Sequence, residues 1–231
     1  MLASSRQYRN HTLAAGEGSD RPAPSNVATP LLLFCGFLAP TIFVAAFVLQ
    51  GWLQPGYDAL RDYVSDLSLG SGGWVQVASF IICGWLLLGF SLGLCAIDES
   101  GRISPWLPAV FGLMGFGFIA AGAFQIDPTW ARLTLHGQLH YAASFLIGGS
   151  MMLAGFIAWQ DLRAQGRRKG ADACLVTGLT CMGLFSASLI LPQADLPGLV
   201  ERIALLVGAV WIAGFALGLL RTGAGKGVYA H

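Results

Sequence analysis

The sequence predicts an all-α fold, a six-helix transmembrane bundle, on three observations. Six apolar runs take up most of the chain, each close to the roughly 20 residues that a helix needs to cross about 30 Å of hydrocarbon. Hydrophobic residues make up 55% of the 231 and charged residues only 11%, too few polar groups to coat a water-soluble globule of that size. Basic residues crowd into alternate connections, as the segments of a multi-pass protein do. No β-barrel alternation is present.

Residues 1–27 are polar, rich in Ser, Gly, Ala and Pro, and carry no hydrophobic period, so they read as a disordered cytoplasmic tail. The first apolar run starts too late and runs too long for the core of a signal peptide. The spans are placed at 29–53, 73–96, 106–125, 135–159, 173–191 and 198–220, giving a membrane domain over 28–221 and a short cytoplasmic tail at 222–231. Glycine is frequent inside these runs, where small residues let helices approach closely in lipid. Trp52, Trp74, Trp106, Trp130 and Trp159 fall near span ends, as an interfacial belt would.

Arg6, Arg9, Arg21, Arg102, Arg163, Arg167, Arg168, Lys169, Arg221 and Lys226 lie in one set of segments, against Arg61, Arg132 and Arg202 in the other. The positive-inside rule then puts both termini in the cytoplasm. Topology accounts for the basic run at 163–169, so no nucleic-acid partner is expected. The five cysteines sit in or at the ends of spans without a CxxC pair and read as small packing residues. The polar exits 50–55, 125–128 and 193–197, together with the matching 89–94 and 214–219 segments, suggest three repeated helical hairpins sharing one outer vestibule.

Ionisable residues gather at that outer end. In the first outer connection, Tyr57, Leu60, Val64 and Leu67 form one apolar stripe, and the segment 57–67 reads as an amphipathic interfacial helix folded over the mouth of the bundle. Asp58, Asp62 and Asp66 then stand at i, i+4 and i+8, a spacing that costs a few tenths of a kcal/mol per like-charged pair. Arg61, Arg132, Arg202, a metal ion or a cationic ligand could each offset that repulsion. His136 and His140 are one turn apart on the fourth span, the spacing of paired metal ligands, or of two interfacial histidines bonded to water or carboxylates. Asp127 and Asp195 sit beside prolines and could cap helices or act chemically. Glu201 and Arg202, at the top of the sixth span, could pair with each other or with Asp195.

The six spans, the Asp-Tyr-Val-Ser-Asp-Leu-Ser segment at 62–68 followed by Gly-Trp-Val-Gln at 73–76, the 124–128 exit and the two histidines resemble a bacterial membrane family. That family is domain of unknown function 998, and the resemblance covers about 29–220. It implies a multi-pass protein of the bacterial inner (plasma) membrane and no particular activity. A weaker likeness is to the alkaline ceramidase and adiponectin receptor type of membrane hydrolase, whose site combines a serine, an aspartate and three histidines around zinc. It implies Ser65 and Asp66 in catalysis and His136 and His140 as ligands of a divalent metal such as zinc, with Asp127 as a further ligand or the catalytic general base. A third outer histidine is missing, so a carboxylate would have to complete the set.

Three functions follow for an extracytoplasmic Asp/His vestibule. The protein binds a lipid or small ligand there, with Asp58, Asp62, Asp195, Glu201 and Arg202 contributing. Or it is an accessory subunit packing against a larger membrane complex. The alternative is a metal-dependent hydrolase acting on a lipid or amphiphile at the outer leaflet.

Overall fold

The computed structural model describes residues 28–98, 103–191 and 195–224; the N-terminal tail and residues 225–231 lie outside them. Six helices follow in order: α1 (Ala28–Leu53), α2 (Gly73–Asp98), α3 (Trp106–Ala123), α4 (Leu135–Ala164), α5 (Arg168–Ile190) and α6 (Pro197–Ala224). Each contains a stretch long and apolar enough to cross a membrane, and no strand occurs among the described residues. This is the expected all-α six-helix bundle.

Every helix packs on its neighbours in sequence, and α6 returns to pack on α1, so the six close into a ring. Glycines set how tightly the ring closes. A Cβ on Gly84 of α2 would lie 2.5 Å from the Gly115 carbonyl of α3, and one on Gly115 would lie 2.7 Å from the Gly84 carbonyl. Gly155 of α4 meets Gly178 of α5 in the same way, with a Cβ placed 2.7 Å from the Cys174 carbonyl. Backbones this close gain dispersion contacts that lipid cannot supply, which is what holds helices together where the hydrophobic effect between them is absent.

Two aromatic layers fill the ring. Phe43, Phe80 and Phe118 meet in the outer half at centroid distances of 5.1 and 5.2 Å from Phe43. Phe90, Phe111, Trp211 and Phe215 stack across α2, α3 and α6 nearer the inner end, and Phe90 and Phe111 are wholly buried. The second layer joins helices that are not neighbours in the ring, and so plugs its interior.

Helix boundaries depart from the apolar runs where charge is tolerated. α4 continues past the predicted end at 159 to Ala164, and α5 begins at Arg168 rather than 173. Arg163 lies over the Trp159 ring at 5.5 Å and pairs with Asp172 at 3.3 Å, so the polar turns are helical and sit at the interface. Gly166 makes the short connection between them with φ 75, a left-handed conformation that glycine adopts at low cost.

The first outer connection corrects an expectation. Residues 57–67 do not form one amphipathic α-helix; a turn at 58–62 leads into a short 3₁₀ helix, Val64–Leu69. The aspartates break the helix by bonding backbone N–H groups nearby, the competition that makes Asp a turn and cap residue. The i, i+4, i+8 stack of like charges therefore never forms.

The α2–α3 contact predicts a graded response. Gly115→Leu should destabilise the detergent-solubilised protein by about 1–3 kcal/mol or more, by overpacking. Gly214→Leu, where a Cβ meets nothing within 4 Å, should leave thermal unfolding nearly unchanged.

Candidate functional site

Each aspartate of the outer loop has a backbone partner. Asp58 accepts from the Leu60 N–H at 2.9 Å and pairs with Arg61 at 2.6 Å. Those contacts, the Leu60 N–H foremost, hold its carboxyl below the usual range. Asp62 accepts from the Asp58 N–H and Asp66 from the Tyr63 N–H, both at 2.8 Å. Of the three arginines considered from sequence, Arg61 is thus the one that forms an ion pair with this cluster.

Arg202 meets the loop by its backbone. Its guanidinium donates to the carbonyls of Asp62 (2.8 Å) and Gly198 (2.9 Å) and to the Tyr57 hydroxyl, and it lies over the Tyr57 ring at 5.3 Å. Tyr57 in turn donates to the Tyr63 carbonyl at 2.8 Å. The Leu199 N–H donates to the Leu60 carbonyl at 2.9 Å, and a Cβ on Gly198 would lie 2.3 Å from the Asp62 carbonyl. Glu201 accepts the Val64 N–H at 2.7 Å, and the Tyr63 hydroxyl reaches the Ser188 carbonyl at 2.9 Å. On the other side, Gln50 of α1 donates to the carbonyls of Leu67 (2.9 Å) and Gly72 (3.1 Å). The loop is therefore strapped across the outer end of the ring, from α1 to α5 and α6. Burial pushes the Tyr63 hydroxyl up to about 12, with the Glu201 carboxylate adding to the shift.

Asp127 and the two histidines have structural partners as well. Asp127 accepts from the Thr134 N–H (2.6 Å) and hydroxyl (2.9 Å), fixing the residue that caps α4. His140 is buried, and its Nδ1 lies 2.8 Å from the Phe124 carbonyl and 3.0 Å from that of Ala121. Carbonyls only accept, so Nδ1 carries the proton and the neutral ring is left with Nε2 as an acceptor. The ring closes the C-terminal end of α3, where carbonyls lack helical partners. His136 is exposed and meets the Phe124 ring edge-on at 5.6 Å. Asp195 is exposed just before α6. Among the described residues no three His, Cys, Asp or Glu side chains converge to hold a metal. The residues implied by the ceramidase likeness form no such group among the described residues: His140 Nδ1 is engaged by backbone and His136 is exposed.

Beneath the loop lies an interior cavity of about 110 Å³. All six helices and the 3₁₀ helix line it. Ser65, His140, Ser144 and Glu201 border its outer part; Phe43, Phe80, Leu87, Met114, Met151 and Ile212 make its sides and floor apolar. A single water needs roughly 10–15 Å³ on this measure, so the space exceeds any one solvent molecule. Ser65, Glu201 and His140 are the sequence-selected residues that the fold brings to one space; Asp58, Asp127, His136 and Asp195 do not border it.

A family model described as "Protein of unknown function (DUF998)" matches residues 37–218. The chain belongs to this family. No curated protein and no solved structure matches it. The matched region runs from within α1 to within α6 and so includes the whole loop, its straps and the cavity.

Sequence reasoning placed Tyr57 on an apolar stripe and took Gln50 only as the start of a polar exit, yet Gln50 carries much of the loop's attachment. Gln76 entered only within the 73–76 segment, yet it is fully buried, with neither amide atom partnered among the described residues.

Asp66 gives the loop a pH dependence. Its carboxyl is pushed up to about 6, first by burial; Asp62 adds to this, and the Tyr63 N–H and Arg202 oppose it. Unfolded, the group titrates near 3.8. Between those values the folded state binds more protons, so the contribution of Asp66 to stability falls as pH rises through that window. The thermal unfolding midpoint should drop between about pH 4 and 6. Asp66→Asn, which keeps an oxygen for the Tyr63 N–H, should flatten that segment of the profile.

Proposed function

We propose that this membrane protein binds an amphiphilic molecule, holding its apolar part in the cavity and its polar head beneath the strapped outer loop. The observation that carries this reading is the cavity itself: apolar over most of its wall, and polar only where Ser65, His140, Ser144 and Glu201 border it. A largely hydrophobic wall with a few converging polar groups is the usual lining of a small-molecule site, and at about 110 Å³ this one takes the head and the adjoining end of the apolar part. Membrane lipids or lipid-derived amphiphiles are the natural source. A metal-assisted hydrolase finds less support, since His140 has committed Nδ1 to backbone and His136 faces outward.

Gly208 offers a clean test. A Cβ there meets Cys181 Sγ at 3.5 Å and Met151 Cε at 3.6 Å, ordinary contacts, so a longer side chain can enter the cavity without moving backbone. Gly208→Leu should unfold at the same or a higher temperature than wild type. It should also lose the amphiphile that mass spectrometry detects on gently purified wild-type protein. Wild type that carries no amphiphile and takes up none when supplied would overturn the reading.

We further propose that the strapped face is extracytoplasmic, in the bacterial inner membrane, with both termini in the cytoplasm. The ten-to-three division of basic residues supports it. A reporter active only outside the cytoplasm, fused after Lys226, should be silent; activity there would reverse the orientation.

A further inference from the structure

Glu201 is a carboxylate inside a membrane bundle with no ion-pair partner. The ion pairs among the described residues are Arg61–Asp58 and Arg163–Asp172, both at the surface. The only hydrogen bond that Glu201 makes there is to Oε2, from the Val64 N–H, so Oε1 has no donor. Its charged neighbours are Arg202 and Asp66. Arg202 does not neutralise it: the guanidinium is held by two carbonyls and the Tyr57 hydroxyl, and it does not border the cavity. Even with Arg202 counted, two carboxylates face one cation.

The rest of the polar rim points the same way. His140 contributes the acceptor Nε2, which is without a partner among the described residues, and Ser65 and Ser144 contribute hydroxyls. The wall beside them includes the rings of Phe43, Phe80, Phe118 and Phe185, whose π faces attract cations. The cavity therefore offers a carboxylate oxygen, a ring nitrogen and aromatic faces, and no cationic side chain. Such a set matches the three N–H donors of a primary ammonium and repels an anionic head.

We infer that the cavity selects amphiphiles bearing a primary amine, with Glu201 as the residue that receives the ammonium group. This deepens the amphiphile-binding reading and rests on it. A charge withdrawn from water is costly unless it is matched, and an ammonium group at the cavity rim would match Glu201.

The test is calorimetric titration of the full chain in a nonionic detergent at pH 7.5, with dodecylammonium, dodecanol and dodecanoate at equal mole fractions in the micelle. Dodecylammonium should bind about tenfold or more tightly than dodecanol, the scale of a charge-assisted hydrogen bond, and dodecanoate more weakly than either. Glu201→Gln can still accept the Val64 N–H through its amide oxygen. It should bring dodecylammonium and dodecanol to equal affinity, and Gly208→Leu should lose all three. If wild type binds the alcohol or the carboxylate as tightly as the amine, or if Glu201→Gln keeps the amine preference, amine selection is wrong and amphiphile binding stands. If none of the three binds wild type, the amphiphile reading itself falls.

Discussion

The constraint on which this fold depends is that backbone polar groups at the edge of a lipid-embedded ring must find partners in the protein. Inside the spans each helix satisfies its own ladder. At the outer end the helices stop, and the loop that joins α1 to α2 crosses an apolar opening. Nearly every ionisable or amide side chain there is used on backbone: His140 on the end of α3, Gln50 on Leu67 and Gly72, Arg202 on Asp62 and Gly198, Glu201 on Val64. Residues that look like a catalytic cluster in one dimension are, for the most part, hydrogen-bond partners of backbone at the ends of helices and in the loop.

That use of side chains explains the cavity. The 3₁₀ helix Val64–Leu69 is pinned from both sides of the ring and cannot descend into it, while the aromatic layer of Phe90, Phe111, Trp211 and Phe215 closes the interior below. Small residues such as Gly148 and Gly208 on α4 and α6 leave the space between unfilled. The strap and the plug together produce an apolar chamber with a polar rim, and Glu201 Oε1 and His140 Nε2 are the atoms of the rim's carboxylate and histidine left without a protein partner among the described residues. Function in this protein is sought among what remains after the backbone is satisfied.

The membrane environment also sets how strongly these groups act. Arg61–Asp58 and Arg163–Asp172 are half-exposed pairs, and such pairs contribute little in water. The contacts of Arg202 and Glu201 between the loop and α6 are partly buried, so solvent competes less for them and a lost partner leaves a less well compensated group. Substitutions at the strap should accordingly weigh more on the fold than those at the exposed aspartates, although both sets are equally charged in sequence.

The sequence by itself determined the class, the number of spans and the asymmetry between the two ends. Those depend on hydrophobic run length and on which segments carry arginine, and both are local properties of the chain. It also showed that acidic residues and histidines gather in one alternate set of connections, since ionisable residues are excluded from the hydrocarbon centre. Tertiary structure alone decided which of them meet. Tyr57 and Arg202 are 145 residues apart, Val64 and Glu201 137, and Tyr63 and Ser188 125. No spacing rule reaches that far, since those distances are set by ring closure between α1 and α6. The i, i+4 pattern misled at Asp58, Asp62 and Asp66 for a related reason: helical spacing has meaning only if the segment is a helix, and aspartates that bond their own backbone prevent it. His136 and His140 share a helix face, yet the α3 carbonyls draw one ring inward and leave the other outside.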